Sequence, residues 1–104
     1  MNHPYIYHIC EPHEWIERVE NGLYYHPSLD EEGFIHCSTE AQLQPTIERF
    51  FKESPKLIIL QIDCQLLEAA LKYELAKDLN EYFPHIYGPL NIDAVVHVDS
   101  KRMH

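Results

Sequence analysis

The six residues Leu57-Ile58-Ile59-Leu60-Gln61-Ile62 constrain this chain more than any other segment. They are its most apolar run, and their pattern predicts a central strand covered on both faces. No stretch approaches the ~18 apolar residues of a membrane-crossing helix. The start, Met-Asn-His-Pro-Tyr, is not a basic segment followed by an apolar one, so no secretory signal is visible.

The cover for that strand must come from the flanking segments. Tyr5–Cys10 is rich in β-branched and aromatic residues, and strand alternation sets Tyr5, Tyr7 and Ile9 on one face and Ile6, His8 and Cys10 on the other. Pro12, Trp15, Ile16 and Val19 follow at helical spacing, with Glu14 and Arg18 paired outside and Asn21-Gly22 as the stop. A short strand at 23–25, a polar surface loop over 26–33 and a strand at 34–37 come next. Thr39 and Gln42 have the spacing of a capping box. Pro45 predicts an isolated turn near 40–43 and a new helix beginning at Pro45, burying Ile47, Phe50 and Phe51. Asp63 is placed to cap a short helix carrying Leu66, Leu67, Ala70 and Leu71. A strand at 73–76 sets Glu74 opposite in facing to Tyr73 and Leu75. Residues 77–93, with Pro84, Gly88, Pro89 and Asn91, read as a long ordered loop with a short strand at 85–87, and 94–98 is the last strand. The order is that of an α+β domain, one unit over residues 1–104.

Charge narrows the partners. Eight Lys and Arg stand against 17 Asp and Glu, a net −9 with His neutral. That balance argues against phosphate backbones and anionic membrane surfaces, so nucleic acid and membrane are not expected partners. Three cysteines without a Cys-x-x-Cys pair predict reduced thiols in a soluble cytoplasmic protein.

Two segments carry chemistry where plain structure would do. Gly33-Phe34-Ile35-His36-Cys37-Ser38-Thr39 puts an imidazole, a thiol and two hydroxyls on a strand that runs into a helix start. Phe83-Pro84-His85-Ile86-Tyr87-Gly88-Pro89-Leu90-Asn91 is stiffened by two prolines and displays His85, Tyr87 and Asn91. With Ile6-Tyr7-His8-Ile9, Trp15, Ser28-Leu29, Gln42, Ile62-Asp63 and Glu74, these segments resemble, almost end to end, the family called domain of unknown function nine-fifty-two. By fold that family resembles a minimal ADP-ribosyltransferase-like domain, which implies a partly split mixed sheet with two to three helices and a cleft for NAD. Carried over by position, the resemblance implies that His8 contacts the nicotinamide ribose and that His36, with Ser38 and Thr39, packs on nicotinamide. The third, acidic place falls to Glu74, with His85 or Tyr87 as alternatives.

Catalytic roles are therefore expected of His8, His36, Glu74 and His85, and ligand contacts of Tyr24, Ser38, Thr39, Tyr87 and Asn91. Three functions stay open on the residues alone. The first is an NAD-dependent ADP-ribosyl-transfer or NAD-cleaving enzyme, in which an oriented ribose and a stabilised oxocarbenium-like charge do the work. The second is a non-catalytic module for a small metabolite or nucleotide. The third is a metal site from His8, His36 and His85. No close His-His spacing supports it, and adjacent His36 and Cys37 would face opposite ways on a strand, so no metal is expected. The remaining histidines, His26 among them, read as solvated.

Overall fold

The computed structural model describes residues 3–103. In chain order it contains β1 (Tyr5–Cys10), α1 (Pro12–Glu17), β2 (Val19–Glu20), β3 (Leu23–Tyr24), α2 (Ser28–Glu32), β4 (Ile35–His36), α3 (Glu40–Phe50), β5 (Lys56–Asp63), β6 (Ala70–Ala76), β7 (Glu81–Tyr87), β8 (Leu90–Asn91) and β9 (Val95–Arg102). Single 3-10 turns occupy Cys64–Leu66 and Ile92–Ala94.

The apolar run lies in β5, which is the middle strand of a first sheet, β1-β5-β9. One face of that sheet enters the main core of Ile6, Cys10, Tyr24, Ile35, Leu60, Ile62, Ile86 and Leu90, all without solvent exposure. Its other face packs under α3, where Ile9, Ile47 and Leu57 form a second, smaller core with Leu43, Phe51 and Ile59. A third sheet, β4-β7-β6, and a small one, β2-β3-β8, complete the α+β architecture. Every strand pairing among the described residues is antiparallel, so the sheet is not mixed. The first and third sheets touch where Tyr7 and Ser38 exchange backbone hydrogen bonds of 2.8 and 2.7 Å.

Several sequence expectations are corrected by local physics. Asn21 (φ 54°) and Gly22 (φ 78°) do not end a helix: they are the two left-handed residues of a hairpin turn joining β2 to β3. Helix α1 stops at Glu17, and Ile16 points to solvent at 74% exposure. Segment 26–33 is not a loop throughout, since Ser28–Glu32 is helical and Gly33, at φ 89°, closes it. Helix α3 runs unbroken through Pro45. The bond Pro45 cannot make is the one to the Ala41 carbonyl, and both residues lie on the exposed side, where that carbonyl is open to solvent. Phe50, expected in the core, is 64% exposed. After the Asp63-capped turn, Ala70 and Leu71 already belong to a strand, not a helix. Residues 81–87 form β7 instead of a loop, despite Pro84. The Cys37 N–H donates to the Pro84 carbonyl at 3.0 Å, and the return bond a proline cannot supply falls where β4 leaves the sheet.

Candidate functional site

Alternation along β1 turns His8 inward between Ile6 and Cys10, and only 2% of it meets solvent. Its Nδ1 lies 2.7 Å from the His36 carbonyl, which can only accept, so Nδ1 carries the proton. The bare Nε2 then accepts from the Tyr24 hydroxyl at 2.9 Å. Burial, followed by the charge of His26, pushes the His8 pKa down to about 3, so the ring is neutral at physiological pH. Both nitrogens are spent inside the protein. In this arrangement neither ring nitrogen is free, and His8 ties β1 to the backbone of β4. Tyr24, expected to contact a ligand, is a fully buried core residue, and desolvation raises its hydroxyl pKa.

His26 belongs to the same network, contrary to its reading as solvated. Its ring centroid is 4.9 Å from that of His8. Its Nδ1 accepts the Ser28 N–H at 3.1 Å, leaving Nε2–H toward Glu14 at 3.3 Å. Desolvation lowers its pKa. The signal that could have found it is the acidic first turn and terminal glycine of Ser28–Gly33, which mark a helix start for His26 to cap.

The third sheet gathers most of the other candidates on one face. His36 on β4 sits opposite His85 on β7, and Lys72 on β6 opposite His85 from the other side. Phe34 stacks on His85 at 4.0 Å and 18°, and the two imidazoles lie edge to face at 5.3 Å. The Glu74 carboxylate accepts the Tyr87 hydroxyl at 2.5 Å and His85 Nδ1–H at 2.7 Å. Those bonds, Tyr87's first, hold the Glu74 carboxyl below its ordinary value, and the same bond raises the Tyr87 phenol. The other nitrogen of His85, Nε2, has no hydrogen-bond partner among the described residues. Lys72 Nζ stands 4.7 Å over the Tyr87 ring, and His36 Nε2 is 3.0 Å from Glu32.

Where the first and third sheets diverge, a groove of about 450 Å³ opens. Ile9, Phe50, Phe51, Ala76, Leu79 and Phe83 form its apolar walls, and His36, Ser38, Thr46 and His85 supply its polar end. Exposed Phe50 is one rim. Ser38 arrives there because its backbone is held by Tyr7, and its hydroxyl lies 3.5 Å from Thr46 Oγ1. Cys37 also borders the groove, but burial raises its thiol pKa, which disfavours a thiolate.

Thus His36, Ser38 and His85 meet at one groove, with Glu74 and Tyr87 behind His85. His8 and Tyr24 lie in the core. Thr39 caps α3, exchanging bonds with Gln42, and faces a different hollow. Asn91 is a structural staple: it accepts the Glu68 N–H at 3.1 Å and donates to the Leu66 carbonyl at 2.8 Å and to Asp93 at 2.7 Å. No cluster of three or more metal-ligating side chains occurs among the described residues, and no described helix is long and apolar enough to cross a membrane.

The family model described as protein of unknown function, DUF952, matches residues 9–98. The chain belongs to the DUF952 family. Its fold also matches the crystal structure of protein CC0527 from Caulobacter crescentus, with a TM-score of 0.80 and 29% identity over 92% of this chain and 84% of that one. The solution structure of CC0527 gives 0.76 and 29%, over 92% and 83%. No curated protein matches this DUF952 chain.

Proposed function

We propose that this DUF952 chain is a binding domain for a small ligand that carries a planar ring and hydroxyl or amide groups, an NAD-type nucleotide being the first candidate. The groove carries this reading. Its walls suit the ring, and His36, Ser38 and His85 at one end suit polar groups on the same molecule. A planar ring against Phe83 and Phe51 gains from aromatic packing as well as from burial. ADP-ribosyl transfer has weaker support, because His8 has no free nitrogen for a ribose and Glu74 is engaged by His85 and Tyr87.

One observation favours a second, catalytic reading: a carboxylate fixes His85 Nδ1–H and leaves Nε2 for proton transfer, the arrangement of an oriented general base. The test is an NMR titration with NAD, ADP-ribose and nicotinamide. Binding is expected to shift the imidazoles of His36 and His85 and the ring of Phe83 together, and Phe83→Ala is expected to abolish the shifts. Unchanged spectra at millimolar nucleotide sink the proposal. Release of nicotinamide from NAD, lost in His85→Ala, would favour the catalytic reading.

A further inference from the structure

A second hollow, of about 470 Å³, lies on the opposite face of the third sheet, beside the start of α3. Its lining includes His3, Thr39, Gln42, Tyr73, Glu81 and Tyr82. The β6–β7 ladder sets Tyr73 opposite Pro84 and Leu75 opposite Tyr82. Both tyrosines therefore share one face as diagonal neighbours, a relation that spaces residues by about 7–8 Å and their Cβ atoms by somewhat less. This face enters the core at Pro84 and Ile86, but the sheet runs past the core's edge. Tyr73 stays 39% exposed and Tyr82 61% exposed. The His3 ring, 5.9 Å from Tyr73 and tilted by 31°, extends the aromatic wall.

We propose that this hollow is a binding site for a small organic cation of the methylated-ammonium class. Two tyrosine faces at that spacing bring a cation held between them within the ~6 Å of each ring at which cation–π attraction operates. Glu81 borders the hollow as an acidic residue, and no Lys or Arg is among the described lining residues. The whole chain, at −9, adds a favourable field.

The rival reading is an anion at the helix start, and the geometry disfavours it. The Thr39 hydroxyl already takes the Gln42 N–H, and the Gln42 amide oxygen takes the Thr39 N–H at 3.0 Å. Glu40 stands in the first turn, and the Gln42 amide nitrogen is committed to the Tyr82 carbonyl at 2.8 Å.

The experiment is an NMR titration of the full chain with choline, with its uncharged isostere 3,3-dimethylbutanol, and with inorganic phosphate. Choline is expected to shift the amides of Gln42, Glu81 and Tyr82 saturably, and the neutral isostere to bind at least ~10-fold more weakly. Tyr82→Ala, at an exposed position that leaves the core intact, is expected to weaken choline about five-fold. Equal binding of the neutral isostere would reduce the hollow to an apolar dent and overturn the proposal. Phosphate shifting these amides in place of choline overturns it in favour of an anion seat, and silence at ~50 mM choline, about the dissociation constant that two rings worth ~1 kcal/mol each provide, overturns it outright. The groove of His36 and His85 lies on the other face, so its own titration stands or falls separately.

Discussion

Acid should destabilise this fold through His8. In the unfolded chain this imidazole takes up a proton near its ordinary pKa of about 6.5. In the folded chain it resists protonation down to about 3, because the ring is buried and both nitrogens are committed. Between those values the unfolded state binds a proton that the folded state does not, so stability falls as pH falls through that window. At about 1.36 kcal/mol per unit, His8 alone costs about 2 kcal/mol between pH 7.5 and pH 5, and its ceiling is about 5 kcal/mol. Urea unfolding followed by Trp15, the single tryptophan, 5.4 Å from Tyr24 across the core, reports the change. The comparison is with His8→Gln. That variant starts about 1–3 kcal/mol less stable, since Tyr24 and the His36 carbonyl lose their partner. It should then lose about 2 kcal/mol less than the native chain on going from pH 7.5 to 5. Groups remote from His8 act alike in both proteins and cancel in the difference. Equal acid sensitivity of the two chains would refute the reasoning, as would an NMR signal of the His8 ring that titrates near pH 6.5.

Three further outcomes are expected. Pro45→Ala should restore the bond to the Ala41 carbonyl and raise the urea midpoint, by up to about 3 kcal/mol of stability. Gly22→Val, placed at φ 78° in the β2–β3 hairpin, should cost about 1–2 kcal/mol by thermal unfolding while leaving the groove unchanged. Glu74 has a depressed folded pKa, so its contribution is present above pH 4.5 and is lost as pH falls through the folded value. Glu74→Gln should remove that part of the acid sensitivity, and nitrogen spectra should show His85 losing its fixed Nδ1–H tautomer.

Where one face of an element is buried, the sequence was readable. Alternation in Tyr5–Cys10 separated the two faces of β1, and the β5 run located the centre of the first sheet. Thr39 and Gln42 announced the start of α3 because a capping box is a local contact. The misreadings came from treating punctuation as final. Pro45 and Pro84 read as breaks, yet each sits where the missing N–H has no strong claim on a partner. Asn21-Gly22 serves a helix end or a hairpin equally well until the partner strand is known. The candidate site was half visible for the same reason. His36, Ser38 and His85 stood out as polar residues in strand-like segments. Whether His8 faced a ligand or the core depended on Tyr24 and on the His36 carbonyl, 16 and 28 residues away in the chain. Glu74 was legible as an acid but not as the orienting partner of His85, since strand pairing alone brings the two together.

The two backbone bonds between Tyr7 and Ser38, with the His8–His36 bond beside them, give the molecule a mechanical grain. Each sheet is stiff along its own ladder, but the two are sewn together at this narrow seam, and the groove opens directly in front of it. Rotation about the seam would change the groove's width while breaking no ladder, at the cost of shearing the core that Ile6 and Ile62 of the first sheet share with Ile35 and Ile86 of the third. The width of the groove is therefore set behind it, by those three hydrogen bonds and the shared core, and loosening that stitching would be expected to change the groove without altering a wall residue.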